Sequence, residues 1–272
     1  MRIARVFPRR MSYTPTDGLA YVGEPPLWLP EIDEVHVSCC MTWDRPEAER
    51  LAEAWDQHYP GRVRLGGPAY GSPSVGFTPG LYVRPGVTFT TRGCGSRCPW
   101  CLVPEREGNL VQLDPVPEGY IVQDNNLLQA SEAHRSRVWE MLGRQPCAAV
   151  FSGGLQASLI TEEVAEELAG VRISSVFLAA DSWEALTSLE TAVRRLGWLR
   201  RRQLRCYALI GYGEDTPRLA KERLEAIWQT GCVPFAQLFR PSDREIAWSP
   251  EWRALARTWS RPAAMFASHQ EV

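Results

Sequence analysis

The sequence predicts an α/β fold in which parallel strands alternate with helices and wind into a barrel or part of one. Two observations carry this prediction. From residue 86 onward, short apolar runs alternate with longer segments whose apolar residues repeat at helical spacing. The short runs are almost continuously apolar, which is the pattern of parallel strands covered on both faces.

Six strands and four connecting helices follow from these patterns. The strands are expected at 86–91, 119–126, 147–154, 173–180, 204–211 and 233–239. The helices are expected at 130–143, 161–170, 183–196 and 216–230, with Asp181 and Ser182 capping the third. Polar or glycine residues follow each strand, and the carboxyl ends of parallel strands are where ligands bind in such folds.

The ends of the chain read differently from this middle part. Residues 13–30 and 66–85 are dense in proline and glycine, which predicts loops, and between them lie a strand at 34–38, a helix at 46–58 and a strand at 62–68. We therefore divide the chain into an N-terminal β-α-β extension, 1–85, and a larger domain, 86–272. The tail, 248–259, carries tryptophans at helical spacing, which predicts a helix packed over the open side of the barrel.

Composition favours a cytoplasmic enzyme. The chain has 272 residues and a formal net charge of -2, so it has no general attraction to nucleic acid or to a membrane surface. No apolar run approaches the roughly 18 residues that span a bilayer, and the first residues lack the apolar core of a secretory signal. We expect reduced thiols and no membrane partner.

Three clustered cysteines carry most of the functional information. Cys94, Cys98 and Cys101 follow the first strand as C-x-x-x-C-x-x-C, and thiolates so close together make a soft metal site. Four-iron clusters usually take four cysteines, so three would leave one iron open to another ligand. Zinc, which takes four Cys or His ligands, needs a distant fourth ligand and stays an alternative. The remaining cysteines are expected to be small core residues: Cys39, Cys40, Cys147, Cys206 and Cys232.

This spacing, with the aromatic Trp100 before the third cysteine, resembles the motif of the radical S-adenosylmethionine (SAM) superfamily. The resemblance spans about 87–242 and implies a partial (βα)6 barrel of the radical SAM type. It also implies a 4Fe-4S cluster on Cys94, Cys98 and Cys101, with SAM on the open iron. Reductive cleavage of SAM would give a 5′-deoxyadenosyl radical that abstracts hydrogen from an unidentified substrate. An electron donor such as flavodoxin or ferredoxin would be a partner.

The resemblance also assigns cofactor contacts along the strand ends. The segment 207–214 is similar to the superfamily's fifth-strand motif, which flanks the adenine, whereas the glycine-glycine-glutamate motif of strand two is replaced. The implied cofactor residues are Trp100, Gln123, Asp124, Asn125, Ser152, Gly153, Asp181, Ile210, Gly211, Leu238 and Phe239.

Charged and aromatic residues at the same strand ends are candidates for substrate contacts: Arg92, Arg106, Tyr212, Glu214 and Arg240. The catalytic acid or base is unknown. No histidine is close in sequence to these strand ends, so we expect a carboxylate or a tyrosine to transfer any proton.

The N-terminal extension is similar to part of the cobalamin-binding domain that precedes the barrel in one radical SAM branch. The β-α-β fragment ends in Gly66, Gly67 and Pro68, but the lower-ligand motif Asp-x-His-x-x-Gly is absent. We interpret the extension as a reduced remnant and do not expect it to bind cobalamin.

Two alternatives from other classes stay open. The first is a non-catalytic iron–sulfur or zinc protein that uses its metal for structure or partner binding. The second is a nucleic-acid-binding protein that uses the arginine-rich stretch 194–205, which could contact phosphates. A solvated loop on the face opposite the active site is the favoured interpretation of that stretch.

Overall fold

A computed structural model describes residues 1–71, 77–242 and 244–269. These residues form an α/β structure with two parallel sheets and eight α-helices, so the predicted α/β class is confirmed. No helix in the described ranges is both long and apolar enough to cross a membrane. Each sheet has its own cluster of buried apolar residues, while the exact boundary near residue 85 stays a prediction.

The smaller sheet is built by the first part of the chain. Its elements are β1 (Ile3–Phe7), β2 (Ala20–Val22), β3 (Glu34–Ser38), α1 (Arg45–Asp56) and β4 (Val63–Gly66). The strands are parallel in the order β2-β1-β3-β4. The predicted β-α-β unit is therefore present as β3, α1 and β4, but it is part of a four-stranded sheet.

The sequence patterns missed β1 and β2. Arg5 interrupts the apolar run of β1, yet this residue is buried because its guanidinium pairs with Asp17 and also donates to the carbonyl of Leu81. The strand β2 lies inside the stretch 13–30 that the prolines and glycines marked as loop. That loop prediction is wrong for β2, because a short strand can be specified by its pairing with β1 alone.

The larger sheet contains the six predicted strands. Its elements, with a two-stranded hairpin (β6 and β7) inserted, are β5 (Val87–Thr88), β6 (Thr91–Arg92), α2 (Val103–Arg106), β7 (Val111–Gln112), β8 (Ile121–Val122), α3 (Glu132–Arg144), β9 (Ala149–Phe151), α4 (Glu162–Ala169), β10 (Ile173–Ala179), α5 (Ala185–Arg195), β11 (Leu204–Ile210), α6 (Pro217–Gln229) and β12 (Val233–Leu238). The order is β5-β8-β9-β10-β11-β12, so strands adjacent along this region pair in parallel.

The two faces of this sheet differ in burial at β11. Along β11, Leu204, Cys206, Ala208 and Ile210 are fully buried in the core shared with the helices, and the residues between them are half-buried. On the opposite face Tyr207 stacks on Phe177 with ring centroids 4.7 Å apart. The prediction of strands buried on both faces is therefore wrong for β11, whose face away from the helices retains accessible surface, but it is confirmed for β5 and β8, in which every residue is buried.

The predicted cap of α5 is also wrong. This helix begins at Ala185 with Glu184 at its N-cap, so Asp181 and Ser182 precede the capping position. Asp181 accepts a hydrogen bond from the main-chain N–H of Leu209 instead, at 2.7 Å. Its carboxylate therefore joins two neighbouring strand ends.

The tail forms two helices, α7 (Pro250–Thr258) and α8 (Pro262–Ser268). Trp259 and Met265 are buried against the core of the larger sheet. The main-chain N–H of Ala236, on the last strand β12, donates to the carbonyl of Trp259 at 3.0 Å. The tail thus covers the edge of the larger sheet.

Candidate functional site

The cysteine loop, residues 93–102, lies between β6 and α2, beyond the carboxyl ends of the strands of the larger sheet. Cys94 is half-buried, and Cys98 and Cys101 are exposed free thiols. The carboxyl edge is the position at which α/β folds bind their ligands. All three thiols therefore lie where a ligand can reach them.

The three thiols influence one another electrostatically. Burial raises the pKa of Cys98, and the neighbouring Cys101, Asp181 and Cys94 raise it further. Burial likewise raises the pKa of Cys101, with Cys94 and Asp181 adding to the effect. Within the described ranges, no three Cys, His, Asp or Glu side chains are arranged to hold a single metal ion. The donor set of three thiols on one loop has the chemistry that iron–sulfur clusters require.

An amide cluster supports the start of the loop. The main-chain N–H of Gly95 donates to Gln129 Oε1 at 2.7 Å, and Asn126 Nδ2 donates to Gln156 Oε1 at 2.7 Å. Asn126 Nδ2 also approaches Cys94 Sγ at 3.8 Å. Gln129 and Gln156 were missed by sequence reasoning, although both lie within a few residues of a strand end, where side chains of neighbouring strands meet.

Asp181 connects β10 to the cysteine loop. Burial raises the pKa of its carboxyl group, although hydrogen bonds from the main chain of Leu209 and from Trp100 oppose the shift. Asp181 in turn raises the pKa of Cys98 and Cys101. Trp100 and Asp181, both predicted cofactor residues, are therefore close to two of the three cysteines.

Aromatic rings extend this contact to the last two strands. The ring centroid of Trp100 lies 5.5 Å from that of Tyr212, which lies 4.9 Å from that of Phe239. Tyr212 follows β11 and Phe239 follows β12, so three residues predicted from separate segments form one row. Such edge-to-face contacts fix ring orientation and leave the exposed faces free for a ligand.

The predicted adenine residues have different surroundings. Ile210 is fully buried with the helices, so only its backbone faces the site, and Leu238 is half-buried against the same core. Gly211 has a φ of +79°, and a Cβ there would lie 2.3 Å from Trp248 Cη2. The indole of Trp248 therefore rests on Gly211, a contact that the sequence did not predict.

Asp124 is fully enclosed by protein. Its carboxylate accepts hydrogen bonds from the Thr90 N–H at 2.6 Å, the Thr90 hydroxyl and the Thr91 hydroxyl at 2.9 Å. Burial raises the pKa of Asp124 to about 6. A Cβ on Gly153 would lie 2.2 Å from the carbonyl oxygen of Asp124, so glycine is needed for this close approach. Both residues act on the backbone that leads to the cysteines, and their assignment as direct cofactor contacts stays a prediction.

One histidine does approach a strand end, which sequence reasoning missed. His134 is buried, and its Nε2 lies 3.1 Å from the carbonyl oxygen of Thr90. Burial lowers the pKa of His134, which favours the neutral ring. His134 therefore contacts the backbone between β5 and β6, so a histidine does lie near a strand end, while the expectation that a carboxylate or a tyrosine transfers any proton stays a prediction.

A second hydrogen-bonded group lies on the open face of the sheet. The hydroxyl of Tyr13 is 3.0 Å from Ser152 Oγ and accepts from Gln123 Nε2 at 3.2 Å. The hydroxyl of Tyr207 donates to the carbonyl of Ser152 at 2.8 Å. The predicted cofactor residues Gln123 and Ser152 thus lie together, and Tyr13 joins them from the N-terminal extension.

The predicted substrate residues are divided between two places. Arg92 and Arg106 lie beside Glu107 in a pocket next to the cysteine loop, and Asn125 Nδ2 donates to Glu107 at 2.8 Å. Arg240 is exposed at the other end of the sheet, with its guanidinium 4.8 Å from the ring centroid of Trp43.

Glu214, the remaining candidate, is exposed just beyond the tip of β11. Its neighbour Asp215 closes that turn, because it accepts from the main-chain N–H of Gly211 at 3.0 Å and pairs with Arg223 at 3.1 Å. The sequence does not show which of these two adjacent acids is buried, because this depends on the ion pair between Asp215 and the buried Arg223.

The arginine-rich stretch 194–205 is engaged with rings of its own chain. The guanidinium of Arg201 lies 3.8 Å from the ring centroid of Trp228, and that of Arg202 lies 4.9 Å from that of Phe266. Arg205 lies 5.2 Å from the ring centroid of Phe177. These contacts give the stretch a packing role, and no observation favours nucleic acid as its partner.

This sequence matches no protein-family model and no curated protein. Its function therefore has to be argued from the cysteine loop and the residues around it.

Proposed function

We propose that the protein is a radical SAM enzyme with one 4Fe-4S cluster held by Cys94, Cys98 and Cys101. The observation that carries this proposal is a loop with three thiols whose Trp100 contacts Tyr212 and Asp181 at the carboxyl edge of a six-stranded parallel sheet. When bound, the cluster and SAM supply the radical chemistry, while the protein binds and orients. We place this activity in the cytoplasm, with an electron donor such as flavodoxin or ferredoxin.

The residues of the chain have distinct tasks in this proposal. Asp181 offers a half-buried carboxylate that can accept hydrogen bonds from a ligand hydroxyl or amine. The row of Trp100, Tyr212 and Phe239 offers apolar surface for a flat ring. Together these groups can shield a reactive intermediate from water.

Contacts of the N-terminal extension support a partial barrel. Burial raises the pKa of Cys40, and the charge of Arg92, beyond the first strand of the larger sheet, opposes that shift. Arg240, beyond the last strand, stacks on Trp43. Because Cys40 and Trp43 are three residues apart, one turn of the extension approaches both ends of the sheet. A curved sheet explains this more simply than a flat one.

The test is reconstitution of the anaerobically purified protein with iron and sulfide. We expect about four irons per chain, a spectral change when SAM is added, and 5′-deoxyadenosine after reduction with dithionite. Cys98→Ala should abolish the 5′-deoxyadenosine. Cys147→Ala is the matched control, because Cys147 is also an exposed free thiol but lies outside the loop.

The opposite result points to a different class of protein. Stoichiometric zinc, or a cluster whose spectrum ignores SAM, would leave a structural metal site as the better explanation. Equal loss of iron in Cys98→Ala and Cys147→Ala would show that the loop is not the ligand set.

A further inference from the structure

A small pocket lies where the N-terminal extension meets the cysteine loop. Its volume is about 120 Å³, and it lies next to the loop rather than between its cysteines. The pocket is lined by Pro68, Gly71, Arg92, Leu102, Val103, Arg106 and Glu107.

The negative charge in this pocket is already compensated. Glu107 accepts from Arg92 Nη2 at 3.0 Å, from the main-chain N–H of Gly93 at 3.0 Å and from Asn125 Nδ2 at 2.8 Å. Both of its carboxylate oxygens therefore have donors. The pair is largely buried, with 17% of the Arg92 side chain and 14% of the Glu107 side chain exposed.

The positive charge is in excess. Arg106 is half-buried, and in the part of the chain that the structure describes its guanidinium has neither a carboxylate partner nor a hydrogen bond. In the same part, Arg92 Nε is buried without an acceptor. Two guanidinium groups against one compensated carboxylate leave a net positive site, and guanidinium groups bind carboxylate and phosphate through paired hydrogen bonds.

We propose that this pocket binds an anionic group, a carboxylate or a phosphate, of the substrate. The binding of the anion rests on the pocket, and its assignment to the substrate rests on the proposed radical SAM function. Pockets for whole drug-sized ligands measure about 300 Å³ or more, so about 120 Å³ holds a head group while the rest of the molecule extends toward the cysteines.

The N-terminal extension gains a function from this arrangement, because it supplies one wall of the pocket. Pro68 lies in the short helical turn after β4. Arg45, at the start of α1, holds that turn by donating from Nε to the carbonyl of Ala69 at 2.8 Å. The extension therefore helps to select the substrate rather than only covering the barrel.

The test measures anion binding to the full chain, with inorganic phosphate and acetate as separate probes. Titration calorimetry at low ionic strength should show that one of them binds. Arg106→Gln should weaken that binding at least about tenfold, since one charge-assisted contact is lost. Arg106→Lys should retain most of it. Arg144→Gln, which removes an equally charged exposed residue on α3, should change it less than twofold.

A second measurement needs no variant. The bound anion should slow the modification of Arg106 by phenylglyoxal, followed by peptide mass analysis, while modification of Arg144 continues at its normal rate. The proposal is overturned if neither anion binds, if Arg106→Gln binds as tightly as the wild type, or if Arg106 is not protected.

The same preparations separate this proposal from the function. Anion binding by a protein that makes no 5′-deoxyadenosine would overturn the radical SAM assignment and keep the pocket. Production of 5′-deoxyadenosine by a protein whose Arg106 is unprotected would overturn the pocket alone. The anion that binds, phosphate or acetate, identifies the head group.

Discussion

Two aspartates at the carboxyl edge of the same sheet have opposite surroundings. Asp124, after β8, is 1% exposed, and its oxygens accept from Thr90 and Thr91. Asp181, after β10, is half-buried, accepts from one main-chain N–H and acts on the cysteines. We call the surroundings of Asp124 the sealed end and the surroundings of Asp181 the open end.

This difference distinguishes a carboxylate that stabilises the fold from one that can bind a ligand. At the sealed end, protein donors already occupy the carboxylate, so Asp124 fixes the backbone that leads to the cysteine loop. At the open end, Asp181 retains lone pairs for a ligand and sits beside the loop itself. A polar residue at a strand end is therefore a site residue only when the protein leaves part of its hydrogen-bonding capacity unused.

The largest effect is expected from Gly153→Ala at the sealed end. The new Cβ would lie 2.2 Å from the carbonyl oxygen of Asp124, a backbone atom that cannot move alone. We expect a loss of about 4 kcal/mol in the free energy of unfolding, measured with urea. In the control, Gly143→Ala, the Cβ meets no atom of the described chain within 4 Å, and stability should stay level or rise. Similar midpoints for both variants would contradict the close packing.

The second largest effect is expected on the pH dependence of the free energy of unfolding, when the wild type is compared with Asp124→Asn. Asp124 has a pKa of about 6 in the folded protein against 3.8 ordinarily, so its ionised form is disfavoured by folding. Above about pH 6 the folded state carries this penalty, and as the pH falls toward 4 the folded carboxylate is protonated first. The wild type should therefore gain about 2 kcal/mol relative to the variant between pH 7 and pH 4. A constant difference would show that Asp124 does not titrate in this window.

The third effect is expected on the reactivity of two thiols at the open end, without a large change in the free energy of unfolding. Burial is the main reason that the pKa values of Cys98 and Cys101 are raised, and Asp181→Asn keeps an acceptor for Leu209 but removes one of the charges that add to this effect. In metal-free protein, the pH midpoint for alkylation of these two thiols should shift to lower pH. Asp124→Asn is the comparison and should leave the alkylation midpoint where it is; a matching shift there would remove the distinction between the two ends.

The last and smallest of the expected effects is that of Tyr212→Leu. Its ring contacts Trp100 and Phe239, and edge-to-face pairs contribute about 1 kcal/mol each beyond area burial. The variant should lose about 1–2 kcal/mol and respond more weakly to SAM in its cluster spectrum. Tyr82→Leu, which removes a ring stacked on His36, should lose comparable stability with an unchanged response to SAM. An unchanged response in both variants would exclude the aromatic row from the site.

Sequence patterns predicted those parts of the molecule that local signals specify. Each strand of the larger sheet was found because a run of apolar residues ends in glycine or polar residues, and β3 was placed at 34–38. The cysteine loop was predicted for the same reason, since its three thiols lie within eight consecutive residues. Thr161 and Thr216, the first residues of two predicted helices, are the N-caps of α4 and α6 in the structure.

The rest depends on contacts between distant segments. Tyr13 reaches Ser152 across 139 positions, and His134 reaches Thr90 across 44. Nothing in the sequence distinguishes Glu107 from the other acidic residues. Only the structure shows that Arg92, Gly93 and Asn125 all donate hydrogen bonds to its carboxylate. No spacing rule predicts such partners, because their proximity is created only when the strands pair.

The contact between Ala236 and Trp259 has a consequence for the behaviour of the protein in solution. A last strand with free N–H and C=O groups is a template on which a second chain can add a strand. By occupying one of these groups and packing α7 beside β12, the tail blocks that template. A chain that ends before α7 would therefore tend to self-associate through β12, with aggregation that increases with concentration.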